Sequence, residues 1–457
     1  MINPKIFKEY DIRGIYPAEI NNEDGYRLGY AFVKFKKLKT IAVCKDKRIE
    51  SAKLSKPFIQ GAYDAGAKIF DLGVNCTPAL FFAVGVKKFD GGVMITPSHN
   101  PNGYTGLKFC TVDGVPIGLK TGLKELQKIA NAMVIKPLRK KAIVKKISIA
   151  GEYEKYCRSI VDFSHIQDLN VILDASDGAG SIMASHIFSK LKIKKTKINF
   201  VKGDKYPTHG LNPMLQESRD LLCSEVKKQK ADLGIIWDGD ADRCIFVDDQ
   251  GVSVNSYHIN CLLYQIMLLK YGSLKPGLPL VLDARLPVNI SEMIVKMGGK
   301  PVVNRSGYTN ILKKMQNKKY LFGSENSGHY FLNFLFSKEL KKNYVFGDGI
   351  IPALLVMEYL AMSGLKLSEA IKIYRDKFVI SGEINLKIGN FEKVKNKLST
   401  MYKNYEQKNI DGLSVYGQGW FFNVRSSNTE PLVRLNVESQ SIKVMEKEKV
   451  KLLKIIR

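Results

Sequence analysis

The chemistry of this chain is most concentrated in the six residues Asp238-Gly239-Asp240-Ala241-Asp242-Arg243, where three carboxylates alternate around a glycine. They follow directly on the apolar run DLGIIW, so hard oxygen donors converge on a small volume beside a hydrophobic core. Such a cluster repels itself, and a divalent cation is the natural solution. An EF-hand also opens with alternating acids, but it needs Gly at its sixth loop position and Glu at its twelfth. Those positions hold Arg243 and Asp249, which excludes it. A solvated acidic turn is the plain alternative.

A second loop, Thr96-Pro97-Ser98-His99-Asn100-Pro101-Asn102-Gly103, is built of residues that favour a bent, exposed backbone. A serine displayed there suits a nucleophile or a phosphate carrier, with His99 adjacent and Lys108 returning as a proton or charge partner; otherwise it is an ordinary surface turn. The third loop, Ser324-Glu325-Asn326-Ser327-Gly328-His329, supplies the groups that hydrogen-bond sugar hydroxyls or relay a proton. In the fourth, Arg425-Ser426-Ser427-Asn428-Thr429-Glu430-Pro431, an arginine precedes short polar side chains, an arrangement suited to a phosphate dianion, and Arg434 follows on the next strand.

Three of these loops share one kind of support. GGVMI precedes the serine loop, DLGIIW the aspartates and KYLFG the third loop, each a continuously apolar run of the kind found in sheets covered on both faces. Helical patterns such as LLVMEYLAM and SEAIKIYRDKF supply the cover. The last segment differs, with strand-like ISGEINLKI, WFFNVR and LVRLNVE around a charged helical run from Phe391 to about Gln407. The expected fold is therefore α/β: three similar mixed α/β domains at 1–148, 149–253 and 254–366, then a smaller α+β domain at 367–457, around a central cleft. A chain of 457 residues, 45% hydrophobic and 25% charged, has the size and composition for such a multidomain globular protein.

Charges interrupt MINPKIFKEYDIRG where a signal peptide needs an apolar run, and Glu358 interrupts the most apolar later stretch, so neither export by that route nor a membrane span is expected. Seven scattered cysteines without a C-x-x-C pair fit reduced thiols in a cytoplasm. The net charge of +27 invites a nucleic-acid reading, yet the excess is spread lysine without a nucleic-acid motif, so no specific nucleic-acid partner is expected. Arginine is scarcer and more telling. Arg13, Arg48, Arg243, Arg285, Arg305, Arg425 and Arg434 lie in or beside the polar, Gly-rich segments, pointing to an anionic small molecule.

These four loops, in this order, resemble the α-D-phosphohexomutases over essentially the whole chain. Tyr10-Asp11-Ile12-Arg13-Gly14 is similar to that family's N-terminal signature, and ISGEIN, DGLSV and FNVRSSNTEPLVRLNVES look most like its bacterial phosphomannomutases. The resemblance implies interconversion of mannose 6-phosphate and mannose 1-phosphate through a phosphoserine at Ser98 and a 1,6-bisphosphate, supplying GDP-mannose and surface polysaccharide synthesis. It implies Mg²⁺ held by Asp238, Asp240 and Asp242 against Ser98, and a hexose 1,6-bisphosphate as activator. Arg13, His99, Lys108 and Arg243 would assist catalysis. Arg285, Gly307, Tyr308, Glu325, Ser327 and His329 would bind the sugar, and Arg425, Ser427, Asn428, Thr429 and Arg434 the distal phosphate. The partner would be a phosphosugar, the protein a monomer or homodimer. Three positions depart from the family pattern: Arg305-Ser306-Gly307-Tyr308 stands where Lys-Thr-Gly-His is common, Thr105 where Asn is common, and Asn326 where Met or Gln is common. They leave open the preferred hexose, with phosphoglucomutase, phosphoglucosamine mutase and a non-catalytic phosphosugar-binding protein as alternatives.

Overall fold

The computed structural model describes residues 1–112, 114–134, 140–200, 210–272, 277–316, 320–333, 344–387, 390–426 and 432–456. The chain forms two compact units, Met1–Ser253 with His329–Gly364, and Val254–Gly328 with Leu365–Arg457. The segment 254–366, expected as one domain, therefore contributes to both.

The first unit begins with a mixed sheet whose strands lie in the order Ile12–Ile15, Tyr104–Thr111, Gly91–Ile95, Thr40–Lys45, Lys68–Val74 and Val144–Lys146. Gly91–Ile95 is buried at every position, as its unbroken apolar sequence requires; it runs parallel to Thr40–Lys45 and antiparallel to Tyr104–Thr111. Helices Asn22–Lys36 and Ile49–Asp64 cover one face, packing Phe32 and Phe58 around Phe109. Asn21 caps the first helix reciprocally with Asp24, which satisfies two otherwise orphaned N–H donors.

A second sheet orders Cys244–Val247, Leu233–Trp237, Gln167–Asp174 and Lys192–Ile198. The outermost strand, Lys192–Ile198, carries four lysines, which discourage pairing with another chain and account for part of the charge excess. Helix Ile350–Ser363 is buried over nearly its whole length and belongs to this unit because it packs against Gln167–Asp174 and Cys244–Val247. Glu358 is tolerated there because its carboxylate accepts the Asp162 N–H at 2.9 Å. Among the described residues no single helix is long and apolar enough to cross a membrane.

In the second unit, Pro279–Asp283 runs parallel to Lys300–Asn304 and Phe322–Ser324, with helices Ser256–Tyr271, Val288–Lys296 and Tyr308–Gln316. Its C-terminal part is an antiparallel sheet in the order Val379–Ile380, Val433–Ser439, Trp420–Ser426, Leu413–Tyr416 and Glu406–Lys408, and Ile384–Leu386 also pairs with Val433–Ser439. Helices Phe391–Met401 and Ile442–Ile456 cover it through Leu398, Leu452, Phe422 and Leu435.

Three local expectations need correction. The helix from Phe391 stops at Met401 because the chain must return as the strand Glu406–Lys408. SEAIKIYRDKF forms two short helices, Leu367–Ala370 and Lys372–Lys377. ISGEINLKI forms two strands, broken where Gly382 adopts φ +69°.

Candidate active site

Ser98 follows the buried strand Gly91–Ile95 and is only 2% exposed, so the ordinary surface turn does not describe it. Its φ of +58° is costly for a residue with a Cβ, and neighbouring groups over-determine it. The Ser98 N–H donates to Thr96 Oγ1 at 3.0 Å, and Thr96 Oγ1 donates to Asp46 Oδ2 at 2.7 Å. Arg48 threads the loop from behind, donating to the carbonyls of Ser98, Asn100 and Pro101 at 3.2, 2.6 and 2.7 Å. Arg13 donates to Asn100 Oδ1 at 2.6 Å while Asp11 holds the rest of its guanidinium.

The aspartate loop leaves the end of Leu233–Trp237. Asp238 and Asp240 are fully buried and Asp242 is 8% exposed, which removes the solvated acidic turn. The three carboxylates offer oxygens within 4.8 Å of one another. Two glycines make the approach possible. A Cβ on Gly239 would stand 2.8 Å from the Ser98 carbonyl, and one on Gly349 would stand 2.7 Å from the Ala241 carbonyl and 2.9 Å from that of Arg243. Ala241 itself sits at φ +57°, pinned by the Gly349 N–H.

Buried carboxylates need partners. Lys108 Nζ lies 2.6 Å from Asp240 Oδ2 and 2.7 Å from Asp242 Oδ2, and Thr77 Oγ1, at the start of helix Thr77–Lys87, donates to the same Asp240 oxygen at 2.5 Å. Ser98 Oγ reaches Asp238 Oδ2 at 3.4 Å and His99 Nδ1 at 3.2 Å. Arg243 donates from Nε to His329 Nε2 at 3.1 Å, and His329 lies 3.2 Å from Asp242 Oδ1.

Burial, then Asp242 and Asp240, push the Asp238 carboxyl well above the usual range. Burial acts the same way on Asp242, but the Lys108 ammonium, and after it the Arg243 guanidinium, outweigh it and hold that carboxyl well below. Burial works against the Lys108 ammonium, yet Asp240 and Asp242 raise its pKa, so it is a fixed charge. His99 is driven far below its ordinary value by burial and by Arg243 and Arg13, and it is neutral near pH 7.

The donor set fits a hard divalent cation. All three residues are carboxylates, and the buried Asp240 Oδ1 has no hydrogen-bond partner of its own.

The second unit gathers charge of the other sign. Arg285 is buried with its Nε on Asp283 Oδ2 at 2.6 Å and Nη1 on Glu383 at 3.3 Å. Glu383 also meets Arg425 at 3.5 Å and Arg434 at 2.9 Å, while Asp411 lies 3.5 Å from Arg305 and 3.9 Å from Arg425. Asp283 further accepts from Ser306 Oγ at 2.6 Å and from the Asn326 N–H at 3.2 Å, which fixes the two loops that carry the expected sugar-binding residues. Within them Glu325 accepts the Gly307 N–H at 2.6 Å, and Tyr308 opens the helix Tyr308–Gln316.

Three of the residues singled out in sequence have contacts that their place in the chain does not suggest. His329, grouped in sequence with Glu325 and Ser327, belongs to the first unit and serves Asp242 and Arg243. Thr105 is wholly buried with its hydroxyl 3.2 Å from Ser51 Oγ, a core contact. Asn326 is held by Asn260 at 2.9 Å. Ser427, Asn428 and Thr429 lie outside the described residues. Sequence reasoning gives no role to Asp46, Thr77, Asp283, Glu383 or Asp411; Glu383 and Asp411 do carry a signal, since they lie in ISGEIN and DGLSV, and Arg48 carries one through the scarcity of arginine.

Four family models match the chain in succession: phosphoglucomutase/phosphomannomutase alpha/beta/alpha domain I over residues 4–133, domain II over 152–251, domain III over 255–377, and the C-terminal domain over 383–455. The chain belongs to the phosphoglucomutase/phosphomannomutase family and is an isomerase of the phosphohexomutase class. A phosphomannomutase of Vibrio cholerae is 34% identical, with 99% of this chain and 98% of that one covered. The crystal structure of a Burkholderia thailandensis phosphoglucomutase/phosphomannomutase family protein covers 100% of this chain and 97% of its own, with a TM-score of 0.86 at 24% identity. An Aspergillus fumigatus N-acetylphosphoglucosamine mutase, solved in complex with GlcNAc-6P and magnesium, shares the fold with a TM-score of 0.61 at 15% identity, covering 100% of this chain and 97% of its own.

Proposed function

We propose that this protein is a Mg²⁺-dependent phosphomannomutase that exchanges the phosphoryl group between the 6 and 1 positions of mannose through a phosphoserine at Ser98. The observation that carries the reading is Ser98 Oγ lying 3.4 Å from Asp238 Oδ2, the first of three gathered carboxylates. The choice of mannose draws on the full-length relative from Vibrio cholerae, which is named a phosphomannomutase. Seven free cysteines, six of them buried, support work in a reducing cytoplasm.

In the forward step the Ser98 Oγ–P bond breaks as a sugar hydroxyl oxygen bonds to phosphorus. The hydroxyl proton leaves to a nearby base, and His99, neutral and 3.2 Å from Ser98 Oγ, is placed for that transfer. A loose phosphoryl-transfer transition state gains most from positioning and positive charge, which Lys108 and Arg243 supply from fixed positions. Asp238, Asp240 and Asp242 would hold Mg²⁺, whose chemistry there is Lewis-acid polarisation of the phosphoryl oxygen. The arginines of the second unit would grip the phosphate that is not reacting, and the 1,6-bisphosphate must turn end over end between its two reactions. A hexose 1,6-bisphosphate would prime Ser98.

The decisive assay compares mannose 1-phosphate and glucose 1-phosphate side by side, with Mg²⁺ and catalytic hexose 1,6-bisphosphate, for the native chain and Ser98→Ala. Mannose turnover reduced more than about a thousandfold by the substitution is expected. Turnover surviving in the variant would remove Ser98 from the mechanism. A native rate on glucose far above that on mannose would reassign the substrate, and no native turnover of either would overturn both assignments.

A further inference from the structure

Glu383 has no place in the chemistry described so far, yet among the described residues of the second unit it is the carboxylate that meets the most arginines. It lies between the strands Val379–Ile380 and Ile384–Leu386, which both pair with Val433–Ser439. From Ile380 to Ile384 the chain takes four steps, while the paired residues Glu438 and Leu435 are three apart, so this edge carries one extra residue. Such a bulge re-aims a side chain, and Gly382 at φ +69° provides the bend.

The re-aimed carboxylate meets three guanidiniums. Its Oε2 lies 3.3 Å from Arg285 and 3.5 Å from Arg425, and its Oε1 lies 2.9 Å from Arg434. Arg425 and Arg434 are direct cross-strand partners, an arrangement that repels unless an anion stands between them. Four arginines, Arg285, Arg305, Arg425 and Arg434, and four carboxylates, Asp283, Glu325, Glu383 and Asp411, compose this cluster among the described residues, so its charges balance only while Glu383 is counted. Arg425 is 6% exposed and its Nε still lacks a hydrogen-bond partner, so the site retains donor capacity.

We propose that Glu383 is a built-in counter-anion of the phosphate clamp, lending the arginines a negative charge until the substrate's phosphate arrives and thereby limiting how tightly that phosphate is held. This rests on the reading of the Arg425 segment as that clamp. A clamp without that carboxylate would carry a surplus positive charge and match a phosphate dianion better, but a mutase must release that phosphate so that its intermediate can turn. Glu383 acts through the arginines and is a positioning residue.

The test is calorimetric titration of mannose 1-phosphate, and in parallel glucose 1-phosphate, into Ser98→Ala protein, which binds without turnover, alone and combined with Glu383→Gln or Glu383→Asp. Glu383→Gln is expected to bind the better of the two sugars about tenfold more tightly at low salt, with Glu383→Asp in between. With Ser98 intact, Glu383→Gln should lower KM and kcat together, so that kcat/KM changes less than either. Equal or weaker binding by Glu383→Gln overturns the counter-anion role while leaving the clamp standing. Failure of the Ser98→Ala parent to bind either phosphosugar overturns the clamp itself and this role with it. Should Glu383→Gln fail to fold, Glu383→Asp decides alone, since its shorter carboxylate must also tighten binding.

Discussion

The two units solve one electrostatic problem with opposite signs. In the first, a single buried ammonium, Lys108, is shared by Asp240 and Asp242; in the second, a single carboxylate, Glu383, is shared by Arg285, Arg425 and Arg434. In the first, carboxylate oxygen is in surplus around Ser98, a donor set that fits a divalent cation; in the second, four guanidiniums meet four carboxylates, so an incoming phosphate would compete with a carboxylate already in place. The scaffolds differ to match. Around Ser98 the three aspartates and Arg243 sit on one short loop, whereas around Glu383 two of the three arginines, Arg425 and Arg434, project from paired strands on long, adaptable side chains.

The largest effect on this contrast should come from Lys108→Met. It leaves two buried aspartates without their shared cation, and we expect a loss of about 3–5 kcal/mol in urea unfolding. Mg²⁺ should restore more stability to the variant than to the native protein, because it replaces the missing charge. A variant as stable as native without metal would show that the aspartates are not interdependent with Lys108.

A smaller effect probes a feature the units share. Each buries one carboxyl beneath a tyrosine hydroxyl and at the start of a helix: Asp348 accepts from Tyr153 at 2.6 Å and from the Ile350 N–H at 2.7 Å, and Glu438 from Tyr257 at 2.9 Å and the Val288 N–H at 2.6 Å. Burial raises Asp348 to about 6 and Glu438 to about 7 despite those donors. A folded-state pKa above the unfolded one means the protonated form favours folding. That contribution is fully present below the ordinary carboxylate range and is lost as pH rises through about 6 and about 7 respectively. Asp348→Asn and Glu438→Gln should each flatten the fall in unfolding free energy between about pH 4 and pH 7 by on the order of 2–3 kcal/mol, with the change for Glu438 centred at the higher pH. Identical pH profiles for native and variants would count against both shifts.

The smallest effect separates fork geometry from charge. Arg425→Lys keeps the positive charge but loses the planar donor fork, so KM for the phosphosugar should rise about tenfold, roughly 1.4 kcal/mol, with kcat little changed. An unchanged KM would place the phosphate elsewhere.

Much of the first site is legible in the order of its residues. Asp238, Asp240 and Asp242 are neighbours in sequence, so their convergence follows from a turn after an apolar strand, and the strands Gly91–Ile95 and Leu233–Trp237 announce themselves by unbroken hydrophobicity. What sequence does not reveal is whatever depends on distant partners. Asp46 and Arg48 brace the Ser98 loop from some fifty residues away in the chain, Asp283 holds Ser306 and Asn326 from two other loops, and Asp411 holds Arg305. His329 meets Asp242 and Arg243 in the first unit, which its sequence proximity to Glu325 does not reveal.

The sequence by itself determined the kinds of chemistry present and the strands that carry them, because those depend on residue type and local periodicity. Tertiary structure alone decided which charges neutralise one another and which are left over. It also set the left-handed backbones of Ser98 and Ala241, since no local preference favours φ near +58° and +57° for these residues and only packing from remote segments can impose it. Electrostatic pairing acts through space over a few ångströms, and the chain order does not record those distances.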